Sequence, residues 1–421
     1  MTISFRSIVV WLTAALSAAA SPASGAAPAP EGSTPRWSLT LYAGQPEDQG
    51  SGDAARLQAR FYAPGGVAVA SNGDVYVADS GNHTIRRIAA AGAVSTVAGT
   101  PGMRGATDGL GAAARFNVPS ALCIGRDGRI YVADTYSSTI RRIDPSGAVT
   151  TLAGAAGDKG AADGDGPAAR FNLPQGIAVD SDGNVYVADT YNDTIRMISP
   201  AGHVTTLAGQ PGQKGFADGP GRAAQFDVPS SIAVDRAGRV YVADQGNSVI
   251  RSIDRDGTVR TFAGRPGRTG LVNGASAKAR FHEPFGITVG AAGELYVTDT
   301  GNHALRRVTP QGEVTTLLTG APDSASAAAM QGTGAQAGST GAQAAGTGAQ
   351  AGAQGRGATA GAALSFPGGI AAAPGAAAGG GAVLYIADGN AILRAASATF
   401  KPHAPARKAN ARTPKGAPAH K

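Results

Sequence analysis

The chain has one cysteine in 421 residues. That excludes an internal disulfide framework and a multi-cysteine zinc or iron–sulfur centre. Aromatic residues are only 5% and charged residues only 15%. No run of about 20 apolar residues is present, so no membrane-spanning helix is expected. There is no Gly-x-Ser-x-Gly elbow, no phosphate loop and no dinucleotide fingerprint, which removes the usual sequence signals of nucleophilic and nucleotide-dependent catalysis. Glu is scarce, which limits paired-carboxylate chemistry. What remains is rich in turn formers, with 62 Gly and 25 Pro, yet 43% hydrophobic. That is enough apolar material for a packed core, so wholesale disorder is excluded.

The ends separate from the rest by composition. Arg6 followed by the apolar stretch 8–16 and small residues up to 26 has the form of a signal peptide (1–26). Export is therefore expected, to the periplasm or beyond the cell. No Arg-Arg pair or cleavage-site Cys suggests a twin-arginine route or a lipid anchor. At the other end, 401–421 carries Lys401, Arg407, Lys408, Arg412, Lys415 and Lys421 and no acid. Together with Arg6 these account for the whole formal charge of +7. The basicity thus belongs to a tail, expected to be disordered and suited to an anionic envelope polymer. A nucleic-acid partner is not expected, because no basic face is interleaved with aromatics. The segment 321–363 is nearly all Ala, Gly, Gln, Ser and Thr and reads as a flexible insertion.

Between these segments the chain repeats. Phe61, Phe116, Phe171, Phe226 and Phe281 stand 55 residues apart, each in Phe-x-x-Pro, and Phe366 is taken as the sixth mark. Tyr-Val-Ala-Asp or a close variant ends at Asp79, Asp134, Asp189, Asp244, Asp299 and Asp388. An Arg follows seven residues later at Arg86, Arg141, Arg196, Arg251 and Arg306, with Arg394 one residue short. Within the third repeat, 176–180, 185–188, 194–198 and 203–208 read as four β-branched strands. Turns containing Asp182-Gly183 and Pro200-Ala201-Gly202 separate them. A repeated four-stranded unit of this size is a propeller blade.

The fold class is therefore all-β, a six-bladed propeller of four-stranded antiparallel blades spanning 37–396, with a monomer expected. The sixth repeat lacks a fourth strand. Its copy is Trp37-Ser-Leu-Thr-Leu-Tyr-Ala-Gly44, which aligns with 92–99 and should close the ring, since an open ring would leave strand edges unpaired.

Pro174 to Asn192, with Gly-Ile-Ala-Val-Asp-x-x-Gly-Asn-Val-Tyr-Val-Ala-Asp-Thr, resembles the NHL repeat. The resemblance covers about 37–320 and 364–396, and the Ala-Arg-Phe-Asn-x-Pro loops are similar to those of exported bacterial members. It implies a six-bladed propeller that binds proteins, RNA or sugars; export and the neutral propeller set RNA aside and leave a protein, peptide or carbohydrate partner. It also implies an alternative, because some related propellers are metal-dependent lactonases or lyases.

Positions identical in every blade serve what every blade needs, whereas variable positions are free to serve a ligand. The six repeated Asp are read first as structural, each paired with the Arg seven residues on. A second set, Asp53, Asp108, Asp163 and Asp218 with Asn273, reads as a turn in the long loop, and Cys123 replaces Ala178 in an inner strand. Ligand contact is expected on the face shared by the long loops and the second-to-third-strand loops. The candidates there are the basic arc Arg104, Lys159, Lys214, Arg265 and Arg268, and the aromatics Tyr136 and Tyr191. In the alternative, His282, Glu283, His303 and His83 hold zinc or calcium at the channel mouth. No cofactor is expected otherwise.

Overall fold

The computed structural model describes residues 36–320, 363–374 and 381–397. The expected signal peptide, the basic tail and the 321–363 insertion, its last residue excepted, lie outside the described residues. The described chain forms six antiparallel sheets arranged as a ring. Blade one covers 66–98, blade two 119–153, blade three 176–208, blade four 229–263 and blade five 284–319. Blade six is built from Pro367–Ala372, Val383–Asp388 and Ala391–Ser397. Its outer strand is Trp37–Gly44, which pairs antiparallel with Ala391–Ser397, Trp37 opposite Ser397 and Gly44 opposite Ala391. The chain thus closes its own ring.

Blade three shows why these residues make these strands. Gly176–Val179 pairs with Val185–Asp189, which pairs with Thr194–Ile198, which pairs with His203–Ala208. The β-branched side chains fit a pleated surface buried on both faces. The first hairpin closes on Asp180, whose carboxylate accepts the N–H of Asp182 and of Asn184, while Gly183 takes φ +87°. Gly176 is required for a different reason: a Cβ there would lie 2.7 Å from the Ser230 carbonyl oxygen, in the neighbouring blade.

Three blades carry one strand more than expected. The two-residue strands Gly109–Leu110, Gly164–Asp165 and Gly219–Pro220 lie along the outer strands of blades two, three and four. Each comes from the long loop that enters its blade, and each covers part of an outer edge that would otherwise be open.

The core is divided into six apolar layers, each sandwiched between two adjacent blades. Phe61, Phe116, Phe171, Phe226 and Phe281 each anchor one layer and are fully buried. In the layer between blades five and six the corresponding side chain is Leu364, also buried. Phe366 does not fill that role. It precedes Pro367 as Glu283 precedes Pro284, and it is 59% exposed. The sixth mark is therefore Leu-x-x-Pro, two residues earlier than the sequence search for Phe placed it.

A second correction concerns the Arg series. Val77 pairs with Arg86 in blade one, whereas the equivalent Ile386 pairs with Leu393 in blade six. The Gly389-Asn390 turn is two residues shorter than its counterparts, so Arg394 falls opposite Tyr385, in the register of Arg87. Leu393 occupies the place of the buried arginine.

Candidate functional site

The repeated charges form the floor beneath the loop face. In blade three Arg196 is wholly buried, and its guanidinium donates to Asp189 Oδ2 (2.8 Å), Asp163 Oδ1 (2.7 Å), the Arg170 carbonyl (2.9 Å) and the Ala162 carbonyl (2.9 Å). It lies 5.1 Å over the Phe171 ring. One side chain therefore ties the third strand to the Phe-x-x-Pro turn and to the Asp-Gly loop. Blades one, two and four repeat this with Asp79–Arg86–Asp53, Asp134–Arg141–Asp108 and Asp244–Arg251–Asp218. Blade five keeps Asp299–Arg306 at 2.6 Å but presents Asn273, an amide, in the outer position.

Each inner Asp also accepts the backbone N–H that follows the buried Phe, as Asn172 N–H does to Asp189 at 2.8 Å. Burial pushes Asp134, Asp189 and Asp244 up to about 6 despite their arginines. Asp108 and Asp163 are also opposed by burial, but the donors of Arg141 and Thr151, and of Arg196 and Thr206, hold them below the usual carboxylate range. Asp388 differs, accepting the N–H groups of Ser365 and Phe366, both at 2.8 Å.

A second ring clasps neighbouring blades together. The residues ending the second-to-third-strand loops, His83, Ser138, Asp193, Ser248 and His303, all adopt left-handed backbone with φ of 49–59°. His83 Nδ1 accepts the Val118 N–H (3.1 Å) and Asp193 Oδ1 the Val228 N–H (2.9 Å). Ser138 and Ser248 accept from Leu173 and Glu283 at 3.4 Å, and Asn390 accepts from Ala63 at 3.1 Å. His303 Nδ1 meets the Ser365 carbonyl, and its ring packs edge-on to Phe366.

This accounts for the histidines considered as metal ligands. His83 and His303 each bridge to the next blade. His282 Nδ1 bonds the Gly301 carbonyl at 3.1 Å in its own blade, and Glu283 is exposed. The structure does not gather the four. Among the described residues no group of three His, Cys, Asp or Glu side chains is placed to hold a metal ion. Cys123 lines the central channel at the level of Ala178, and burial raises its thiol well above the ordinary value.

Above this floor each of the first five blades carries a variable set of three positions. In blade three these are Lys159, Asn172 and Tyr191. The Tyr191 N–H donates to the Asn172 carbonyl (3.1 Å), and Asn192 Nδ2 donates to the Gly160 carbonyl (2.7 Å), so the three positions are fixed side by side. The same bonds hold Arg104, Asn117 and Tyr136 in blade two, through Tyr136 N–H to Asn117 (3.0 Å) and Ser137 to Gly105 (3.5 Å). Tyr136 and Tyr191 are each 58% exposed.

Blade four has Lys214, Asp227 and Gly246, and Lys214 pairs with Asp227 at 3.0 Å. Blades one and five place the large residue on the other side of the contact. Tyr62 lies against Gly81 and His282 against Gly301, where a Cβ would come within 2.6 and 2.7 Å of the rings. Arg104 and Lys159 are exposed and have no carboxylate partner among the described residues. Arg265 and Arg268 are exposed too, but belong to one turn in the next loop, closed by the Arg268 N–H on the Arg265 carbonyl at 3.1 Å. The expected arc is therefore three equivalent positions and two flanking ones. The two Asn were not singled out from sequence.

Three concavities among the described residues lie away from this rim. The channel encloses about 220 Å³ between the inner strands and is lined mainly by Val, Ile, Leu and Ala, with Cys123 and Thr288 among them. Clefts of about 150 and 160 Å³ lie on the opposite face among the hairpin residues Arg126, Ser181, Arg236, Asp182 and Arg255. No helix among the described residues is long and apolar enough to cross a membrane.

Comparison with known proteins agrees with this architecture. The NHL repeat model matches residues 61–88, 116–143, 171–196 and 281–307. NHL repeat-containing protein 2 of Bos taurus is 30% identical over 296 residues, covering 61% of this chain and 40% of that protein. The chloroplastic protein SUPPRESSOR OF QUENCHING 1 of Arabidopsis thaliana is 35% identical over 196 residues, covering 44% of this chain and 18% of that protein. The chain thus spans less than half the length of these two relatives. Among solved structures, a protein of unknown function from Bacteroides thetaiotaomicron is 18% identical with a TM-score of 0.58, covering 86% of this chain and 76% of its own. At that identity the likeness concerns the fold.

Proposed function

Since the chain is an NHL-repeat β-propeller, we propose that it is an exported, non-catalytic binding protein that holds its partner on the long-loop face. One observation carries this reading. The charged residues repeated through blades one to five are engaged in the buried Asp–Arg floor, whereas the residues that vary between blades stand exposed on one rim. A rigid frame with a variable rim is the arrangement that binding proteins use, because a preorganised surface loses little entropy on association. The basic tail 401–421 would add a screened attraction to anionic envelope material.

The test is retention of the full-length protein on an envelope extract. Tyr136→Ala with Tyr191→Ala should weaken retention about tenfold or more, with the melting temperature unchanged. Arg236→Ala, on the hairpin face, should leave it intact. The opposite ranking would place the partner on the hairpin face and defeat the proposal. Removing 401–421 should lower retention at low salt only. Salt-insensitive retention that survives the deletion would remove the tail from the account.

A further inference from the structure

The rim sets of blades two and three are nearly the same, and the sets beside them are not. This points to a ligand that repeats. Resting on the loop-face reading above, we propose that blades two and three together bind an acidic polysaccharide, each blade holding one stretch of a repeating, carboxylate-bearing glycan. The sets are Arg104, Asn117 and Tyr136 in one blade and Lys159, Asn172 and Tyr191 in the next.

Four features of these sets carry the assignment. First, each set combines an exposed ring, an amide and a cation with no carboxylate partner among the described residues. A pyranose offers a C–H face to stack on the ring, hydroxyls for the amide and, in a uronic acid, a carboxylate for the cation. Second, the backbone that carries the rings is pinned. Tyr136 and Tyr191 sit in the short turns Thr135–Ser137 and Thr190–Asn192, pinned to Asn117 and Asn172 through the backbone. Asn172 Nδ2 also donates to the Tyr191 carbonyl at 3.3 Å. Third, the two rings stand exposed on successive blades. An extended glycan is satisfied by exposed rings in series. Fourth, the series stops at blade four. There Lys214 is neutralised by Asp227, and Gly246 replaces the tyrosine. Two equivalent sets on one frame would bind a polymer with avidity and a single sugar weakly.

The experiment measures binding of the full-length protein to polygalacturonate, alginate and hyaluronan, to fully methyl-esterified polygalacturonate and to poly-glutamate. All are run at about 0.3 M salt, where interactions between solvated charges are largely screened. At least one carboxylated glycan should bind and the neutral ester should not. Tyr136→Ala with Tyr191→Ala should weaken that binding about tenfold or more, and so should Arg104→Gln with Lys159→Gln. Lys214→Gln should have no effect. Unchanged melting temperatures establish that the variants fold.

The proposal is overturned if no acidic glycan binds. It is also overturned if poly-glutamate binds equally well, or if the tyrosine variant binds as tightly as the native chain. The envelope assay separates the two failures. If the tyrosine variant loses envelope retention while no glycan binds, the loop face stands and the partner is not an acidic glycan. If the variant is neutral in both assays, the loop-face reading falls as well.

Discussion

Blades three and six do the same structural work with different chemistry. In blade three a buried Arg196 joins two carboxylates and two carbonyls, and the ring of Phe171 lies beneath it. In blade six Leu393 stands in that place and Leu364 replaces the phenylalanine. Asp388 accepts two backbone N–H groups. The outer strand comes from the other end of the described chain, with Trp37 packed edge-on against Tyr296 of blade five. The difference teaches that a buried Arg on the third strand is not needed to make a blade. It fastens the long loop to the strands in blades whose loop must stay close. Blade six, which follows the 321–363 segment in sequence, has Leu364 and Leu393 at the corresponding positions.

The most disruptive way to break the comparison is to give blade three half of blade six. Arg196→Leu leaves Asp189 buried without its counter-charge and removes the donor from two carbonyls. A cost of about 3–5 kcal/mol is expected, read by chemical unfolding. Adding Asp189→Asn removes the stranded charge and should recover most of that loss, because Asp163 is partly exposed and can be solvated. A single variant as stable as the native chain, or a double variant no better than the single, would show that the unit is not a coupled ion pair.

The pH dependence sharpens the same point with a smaller effect. Asp134, Asp189 and Asp244 are raised by burial to about 6. Between about pH 4 and 6 the folded chain therefore holds protons that the unfolded chain has released, and stability falls as pH rises through that window. Asp108 and Asp163 are held low, so their contribution is present at neutral pH and is lost as pH falls below about 4. From these groups the melting temperature should pass through a maximum at about pH 4. The Asp189→Asn, Arg196→Leu double variant should decline less from pH 5 to 7. A melting temperature that climbs steadily to pH 8 would contradict the sign.

Much of the architecture was legible because every blade must bury the same face. The 55-residue step, the four strands and the closing strand Trp37–Gly44 all follow from apolar periodicity and turn residues. Blade six was misregistered in two places because the marks were followed by residue identity. Leu364 and Leu393 satisfy the burial that Phe and Arg satisfy elsewhere, and a shortened turn moved Arg394 by one register position. The rim was less legible still. Tyr136 and Tyr191 stand out, but their partners Asn117 and Asn172 are nineteen residues away. The available signal was reciprocal: where position 62 or 282 is large, position 81 or 301 is Gly. In sequence His83 and His303 read as candidate ligands because they share the loop face with His282 and Glu283; the inter-blade bonds they make join residues far apart in sequence.

The mildest test exchanges one clasp for another. His83 in blade one and Asn390 in blade six each accept a backbone N–H from the next blade, both at 3.1 Å. His83 is at φ +59°, which Asn adopts readily and a β-branched residue only with strain, as Val118 and Val228 do here at +53° and +52°. His83→Asn should therefore change stability at pH 8 by no more than about 0.5 kcal/mol, whereas His83→Val should cost about 1–2 kcal/mol. Burial, aided by Arg104, holds the His83 imidazole below its ordinary value. Its stabilising neutral form is complete above about pH 6.5 and is lost as pH falls through the folded value. The Asn variant has no such group to titrate. Relative to the native chain it should gain between pH 7 and pH 5, a trend opposite in sign to that of the buried aspartates and separable from it by difference. If Asn proves as costly as Val at pH 8, the bond to Val118 is not what His83 contributes, and the ring of inter-blade clasps loses one of its members.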